Sequence, residues 1–149
     1  MYKHIFVAVD GSHTSELALK EAINLAKAFK SQLRLVHAVD ELGSTLYNPE
    51  YSQSVEISES IINTGRDILE KAAATAAHSG IATDTKLIEM KAIGRRISEV
   101  IAEEADAWPA DIVVLGTHGR RGLSRIFLGS VAEGIVRVSA IPVLLIRGT

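Results

Sequence analysis

The sequence predicts a doubly wound α/β domain, a five-stranded parallel sheet with helices on both faces. Three observations carry this. Five short apolar runs are spaced along the chain, and four of them are nearly continuous in Val, Ile or Leu rather than alternating. Continuous runs suit strands that are covered on both faces. Between the runs, apolar residues recur at helical spacing. Strict alternation of the two patterns implies parallel strands joined by right-handed crossovers.

The first strand is "HIFVAV" at 4–9, followed by a helix over 13–30 with Leu19, Ala22, Ile23, Ala26 and Phe29 on one face. Ser12 is its expected N-cap, and Glu16 sits in the first turn, where a carboxylate suits the helix dipole. The second strand is "LRLVHAV" at 33–39, and the polar stretch "DELGSTLYNPEYSQ" at 40–53 reads as a loop. A longer helix over about 54–78 carries Ile57, Ile61, Ile68, Leu69, Ala72 and Ala76, and ends before Gly80. The third strand, "TDTKLIE" at 83–89, alternates and bears charge, which places it nearer an edge. Ile97, Val100, Ile101 and Ala105 mark the third helix, closed by "AWPAD", since Pro109 cannot continue it. "DIVVL" at 111–115 is the fourth strand. Val131, Ile135 and Val138 mark the last helix, and "PVLLI" at 142–146 is the last strand.

A length of 149 residues fits one domain spanning 1–149, with no repeat or linker to divide it. A net charge of −2 argues against a general nucleic-acid binder. The absence of cysteine excludes disulfides, thiolate zinc sites and Cys nucleophiles. No run approaches the roughly 20 apolar residues that a membrane-spanning helix needs, and the N-terminus lacks a signal-peptide pattern. A cytoplasmic protein is expected. His4 and His13 have no partner at metal-ligand spacing, so no zinc site is expected.

Ligands of such sheets bind beyond the carboxyl ends of the strands, where the winding reverses. The fourth strand runs into "GTHGRRGLSRIFLGSVAEGI", with five glycines and three arginines. Gly116 and Gly119 would let backbone amides face an anion, and Gly129-Ser130 would open a helix whose N-terminus is itself an anion site. Arg120, Arg121 and Arg125 add positive charge. A di- or triphosphate fits this pattern. Two plainer readings stand beside it: "SVAE" at 130–133 is a capping box in which Ser130 caps its own helix, and Gly116 merely permits a turn. Asp10-Gly11 is likewise a good turn former. His37 reads as a satisfied core histidine, and Arg95 and Arg96 read as solvated surface.

The spacing Gly116-x2-Gly119-x9-Gly129-Ser130 resembles the ATP-binding signature of the universal stress protein family. "HIFVAVDGSHTSELALKEAINLA", "LRLVHAV" and "IPVLLIR" are similar to that family's first, second and closing strands with their surroundings, so the likeness covers nearly the whole chain. The resemblance implies a Rossmann-like sheet that binds an adenine nucleotide. It implies that Asp10 contacts the ribose or a bound Mg²⁺, that Ala8 and Val9 line the nucleotide's edge, and that Ala38 offers backbone groups to adenine. Gly116, Gly119, Gly129 and Ser130 would hold the phosphates, with Thr117, His118, Arg120 and Val131 beside them.

The expected function is an ATP-binding stress-response protein, a nucleotide-dependent switch with at most weak ATP hydrolysis; AMP and ADP are alternative ligands. A phosphotransferase or phosphatase lacks its usual marks here: position 12 is Ser where a D-x-D pair needs Asp, and no Walker A lysine follows the glycines. A nucleotide-free interaction protein is the third alternative. The apolar last strand, expected at an edge, predicts a homodimer through 142–146.

Overall fold

The computed structural model describes residues 1–40, 55–91, 94–118 and 128–148, with the backbone alone for 55–57. Its elements are β1 (His4–Ala8), α1 (His13–Phe29), β2 (Gln32–Asp40), α2 (Val55–His78), β3 (Thr83–Met90), α3 (Ile97–Ala107), β4 (Ile112–Gly116), α4 (Ser130–Val138) and β5 (Val143–Ile146). Among the described residues the strands form one parallel sheet in the order β3-β2-β1-β4-β5. The predicted fold class and element order hold. The alternating third strand is an edge, and so is the last.

Each central strand buries both of its faces, which is why its sequence is continuous rather than alternating. Ile5 and Val7 of β1 pack with Leu33 and Leu35 against α1 and α2. Phe6 points the other way and joins Val36, Val113 and Leu115 under α3 and α4. Phe6 is fully buried, and cutting such a side chain to alanine costs about 3–5 kcal/mol. The helices follow their apolar stripes except at their ends. Ala18, Leu19, Ala22, Ile23 and Ala26 of α1 are buried, whereas Phe29 of α1 and Val138 of α4, expected on those stripes, are exposed in the last turn. Ser12 caps α1 as expected, its side chain accepting the Ser15 amide at 3.2 Å. On the opposite face α3 and α4 approach so closely that a Cβ at Gly134 would overlap the side chain of buried Ser98.

At the amino ends of the strands, Asp111 ties β4 to β1. Its carboxylate accepts the Lys3 and His4 amides at 2.8 and 2.9 Å, and its own amide donates to the His4 carbonyl at 2.8 Å. Those amide bonds, led by that of His4, hold the Asp111 carboxyl below the ordinary carboxylate range. A lowered folded-state pKa adds stability above the unfolded value of about 3.9, and that stability is lost as pH falls through the folded value. Asp111→Asn is therefore expected to lower stability at neutral pH and to flatten the acid limb below about pH 4. Urea melts of both proteins between pH 2 and 7 check this; parallel acid limbs would remove Asp111 from the pH dependence.

Candidate functional site

In this strand order the winding reverses between β1 and β4: the chain leaves β1 toward β2 and β3, then returns to the other side for β4 and β5. A crevice opens there, at the carboxyl ends of the strands, as such topology requires. It holds a cavity of about 320 Å³. β1 leads into it through Ala8, Val9 and Asp10, and β2 contributes Ala38. Gly116, Thr117 and His118 come from the end of β4, and Gly129, Ser130 and Val131 from the start of α4. These ten residues are expected site residues, and they meet in one place. Gly119 and Arg120 lie outside the described residues.

The cavity has two kinds of wall. One is apolar, made by Ala8, Ala38, Ile97, Ile101, Leu115 and Val131. The other is polar: Asp10, Ser12, Thr117, His118 and Ser130 meet the N-terminal end of α4. A slot of this size with few convergent polar groups is the usual form of a small-molecule site.

Asp10 begins the turn into α1. Its Oδ1 accepts the Ser12 amide at 2.9 Å, and its amide donates to Ser15 Oγ at 3.1 Å. Gly11 completes the turn at φ 81°, in the left-handed region that favours glycine. The turn-former reading of Asp10 is thus correct, and it leaves Oδ2 without a partner among the described residues.

The glycine cradle differs from expectation in two respects. Gly116 lies within β4, paired with Ile146, and its bare Cα admits Thr14 of α1. A Cβ there would stand 2.6 Å from Thr14 Oγ1 and 2.8 Å from its carbonyl carbon. Glycine is required at 116 for helix-to-strand approach. Gly129 is the N-cap of α4, and its amide is already committed, donating to the Thr117 carbonyl at 2.6 Å. The amides left for an anion are those of residues 130–132, which have no intrahelical acceptor in the first turn. The capping box does not form either. Ser130 is the first helical residue rather than the cap, and Glu133 turns to Arg137 at 2.9 Å. The Ser130 hydroxyl is released from capping.

Several lining residues escaped the sequence reading. Ile97 and Ile101, four apart on α3, were legible as an inward helical face but not as a cavity wall. His37 is satisfied as expected, its Nδ1 donating to the Val9 carbonyl at 2.7 Å; yet it is half-buried and borders the cavity rather than the core. Gly65 of α2 lets that helix lie close on β2 and β3, for a Cβ there would stand 2.8 Å from Leu87 Cδ1, 3.0 Å from His37 Cδ2 and 3.1 Å from Val39 Cγ1. Arg95, just before α3, pairs with Glu99 and Glu103 of that helix and is not among the lining residues of the cavity.

The sequence profile of the universal stress protein family matches residues 1–147. Among individual proteins, the chain is 35% identical to Universal stress protein MJ0531 of Methanocaldococcus jannaschii, over 99% of this chain and 83% of that protein. Its fold is similar to that of the hypothetical protein MJ0577, with a TM-score of 0.79 and 27% identity over 100% of this chain and 98% of that one. It is also similar in fold to the universal stress protein from Archaeoglobus fulgidus solved in complex with dAMP. That match has a TM-score of 0.71 and 23% identity, covering 97% of this chain and 98% of that one.

Gly116→Ala is expected to force Thr14 away and to destabilise the protein by about 1–3 kcal/mol, seen as a melting temperature lowered by about 2–12 °C. In a Thr14→Gly background the loss should shrink only in part, because the Thr14 backbone carbonyl carbon stays in place, and equal losses in both backgrounds would remove the Thr14 side chain as a reason for this glycine.

Proposed function

The chain belongs to the universal stress protein family, and on that premise we propose that it binds an adenine nucleotide in the β1–β4 crevice. The observation that carries the reading is one cavity that joins an apolar slot to the amide end of α4. The apolar walls suit the flat face of a base, and the helix N-terminus suits a phosphate. The dAMP held by the Archaeoglobus fulgidus protein supports the same ligand class. In this reading Ala8 and Val9 edge the nucleoside, Ala38 offers backbone groups to adenine, and Asp10 takes the ribose or a metal ion. The phosphates sit at Gly129, Ser130 and Val131, beside Thr117 and His118. ATP, ADP and AMP are the candidate ligands.

Mg²⁺ fits this donor set as a companion of the phosphates: it commonly takes one or two carboxylates and keeps its remaining sites for water and phosphate. Asp10, with Oδ2 uncommitted, would supply the protein ligand. The bound cation would neutralise phosphate charge. Asp10 is the one carboxylate among the described lining residues. A single carboxylate that also braces its own turn suits a binding role, so the protein acts as a nucleotide-dependent switch with at most slow hydrolysis, one domain over 1–149 in the cytoplasm.

Calorimetry with ATP on the wild type, Gly119→Val and Gly129→Val tests the site. Affinity is expected to fall tenfold or more in the variants, and unchanged affinity in both would refute the assignment.

A homodimer through β5 belongs to the same proposal. The two edges of the sheet differ. β3 presents exposed Asp84, Lys86 and Glu89, charges that guard an edge, whereas β5 is Val-Leu-Leu-Ile. The carbonyls of Pro142 and Ile146 accept from Val113 and Thr117 of the β4 side. By strand alternation the backbone groups of Val143 and Leu145 point outward. Leu145→Pro removes an outward donor and leaves the β4 pairing in place, so it should give a folded monomer in light scattering. A wild type of monomer mass at every concentration would count against the dimer.

A further inference from the structure

A second cavity, of about 450 Å³, lies between α1 and α2. Small-molecule clefts commonly measure about 300–1,000 Å³. Val9 and Ser15 line both this cavity and the crevice, and Ser15 Oγ accepts the Asp10 amide. The turn into α1 is the partition between the two. The floor is apolar: Val9, Leu19 and Ala72 are buried, and Ile68 is half-buried. The rim is charged. Glu16 and Lys20 of α1 and Asp67 and Lys71 of α2 line the cavity, and all four are exposed. Each acid stands one turn before its lysine, the spacing at which Glu133 closes onto Arg137 in α4. Here neither pair closes, and none of the four charged groups has an ion-pair or hydrogen-bond partner among the described residues.

The direction of the helices sorts these charges. α1 and α2 each run back from the carboxyl end of a parallel strand over the same face of the sheet, so they point the same way. On each helix the acid is therefore nearer the carboxyl ends of the strands. The lysine follows about 6 Å further along the axis. The groove has a negative end and a positive end above an apolar floor. We propose that it binds a small zwitterion with an apolar body, of the class of free α-amino acids with aliphatic side chains. The ligand ammonium pairs with Glu16 and Asp67, its carboxylate with Lys20 and Lys71, and its side chain lies on Leu19, Ile68 and Ala72. The lysine stems are long and flexible, so they can close on ligand charges that are nearer together than one turn. A ligand with one charge satisfies one end and leaves the other bare. This site is separate from the crevice and does not depend on the nucleotide reading.

The test titrates the whole protein with L-leucine and follows backbone amides by NMR. Saturable shifts are expected at Gly11, Leu19, Ile68 and Ala72, and they should persist with ATP present. Three smaller probes divide the ligand. Isocaproate lacks the ammonium and isopentylamine the carboxylate, and each should bind about two- to fivefold more weakly than leucine, as loss of an exposed ion pair does. Glycine lacks the apolar body and should bind at least about tenfold more weakly. Paired substitutions at the rim then give a crossed result. Lys20→Gln with Lys71→Gln should weaken leucine and isocaproate but leave isopentylamine unchanged. Glu16→Gln with Asp67→Asn should weaken leucine and isopentylamine but leave isocaproate unchanged. All four positions are exposed, so both variants should keep the wild-type spectrum without ligand. Absence of saturable shifts up to the solubility of leucine would overturn the proposal. So would shifts that ATP abolishes, which would put leucine in the crevice, or variants that weaken all three probes alike.

Discussion

The site depends on how closely α1 approaches the end of β4. Thr14 is wedged there between two glycines: a Cβ at Gly116 would meet its hydroxyl and backbone, and a Cβ at Gly148 would stand 2.8 Å from its Cγ2. In that position the Thr14 hydroxyl holds the His118 carbonyl. One small β-branched residue thus locks the first turn of α1 to the segment leaving β4. The consequence reaches further through hydrogen bonds. Thr117 donates to Ile146 of β5 at 3.0 Å and accepts from Gly129 at the N-cap of α4. Four elements (α1, β4, α4 and β5) are joined within a few residues, and the cavity is the space left between them.

The sheet's framework was legible because its physics is local to each strand. Phe6 and its neighbours Ile5 and Val7 are apolar because β1 is buried on two sides. The N-cap Ser12 was legible for a similar reason, since the cap bond spans only three residues. Ser130 shows where local rules stop. "SVAE" is a sound capping pattern, and read alone it puts the cap at Ser130. The fold places it one residue earlier, because the Gly129 amide answers a carbonyl twelve positions away. That bond is tertiary, and it left no mark on the four-residue pattern.

The same distinction sorts the other site residues. Asp10, Gly116 and Gly129 stood out because strand ends and glycines are visible in one dimension. Ile97 and Ile101 did not, because the residues that make them a wall, Ala38 and Leu115, come from β2 and β4. His37 was assigned to the core because it lies in an apolar strand. Its ring crosses instead to the Val9 carbonyl at the mouth of the crevice, in space that Gly65 on α2 leaves open. A glycine in the middle of a 24-residue helix lowers helix propensity by about 1 kcal/mol against alanine. Such a break in a local rule marks a place where something packs close, and here three side chains of β2 and β3 do: Leu87, His37 and Val39.

Breaks of this kind also separate structural from binding residues. The unusual features of Gly116, Gly134 and Gly65 are each answered inside the protein: by Thr14, by Ser98, and by Leu87 with His37 and Val39. The Asp10 carboxylate is half answered, one oxygen bracing its own turn. His118 Nε2 is answered by none of the described residues, and neither are the first amides of α4. Sequences that fold reliably satisfy their buried polar groups almost everywhere, and the exceptions gather where a ligand completes the set. The unanswered amides belong to residues 130–132 on one wall of one cavity, and all of them donate. The physical complement of that wall is an oxygen-rich anion, and the apolar slot beside it complements a flat ring. A nucleotide carries both on one molecule.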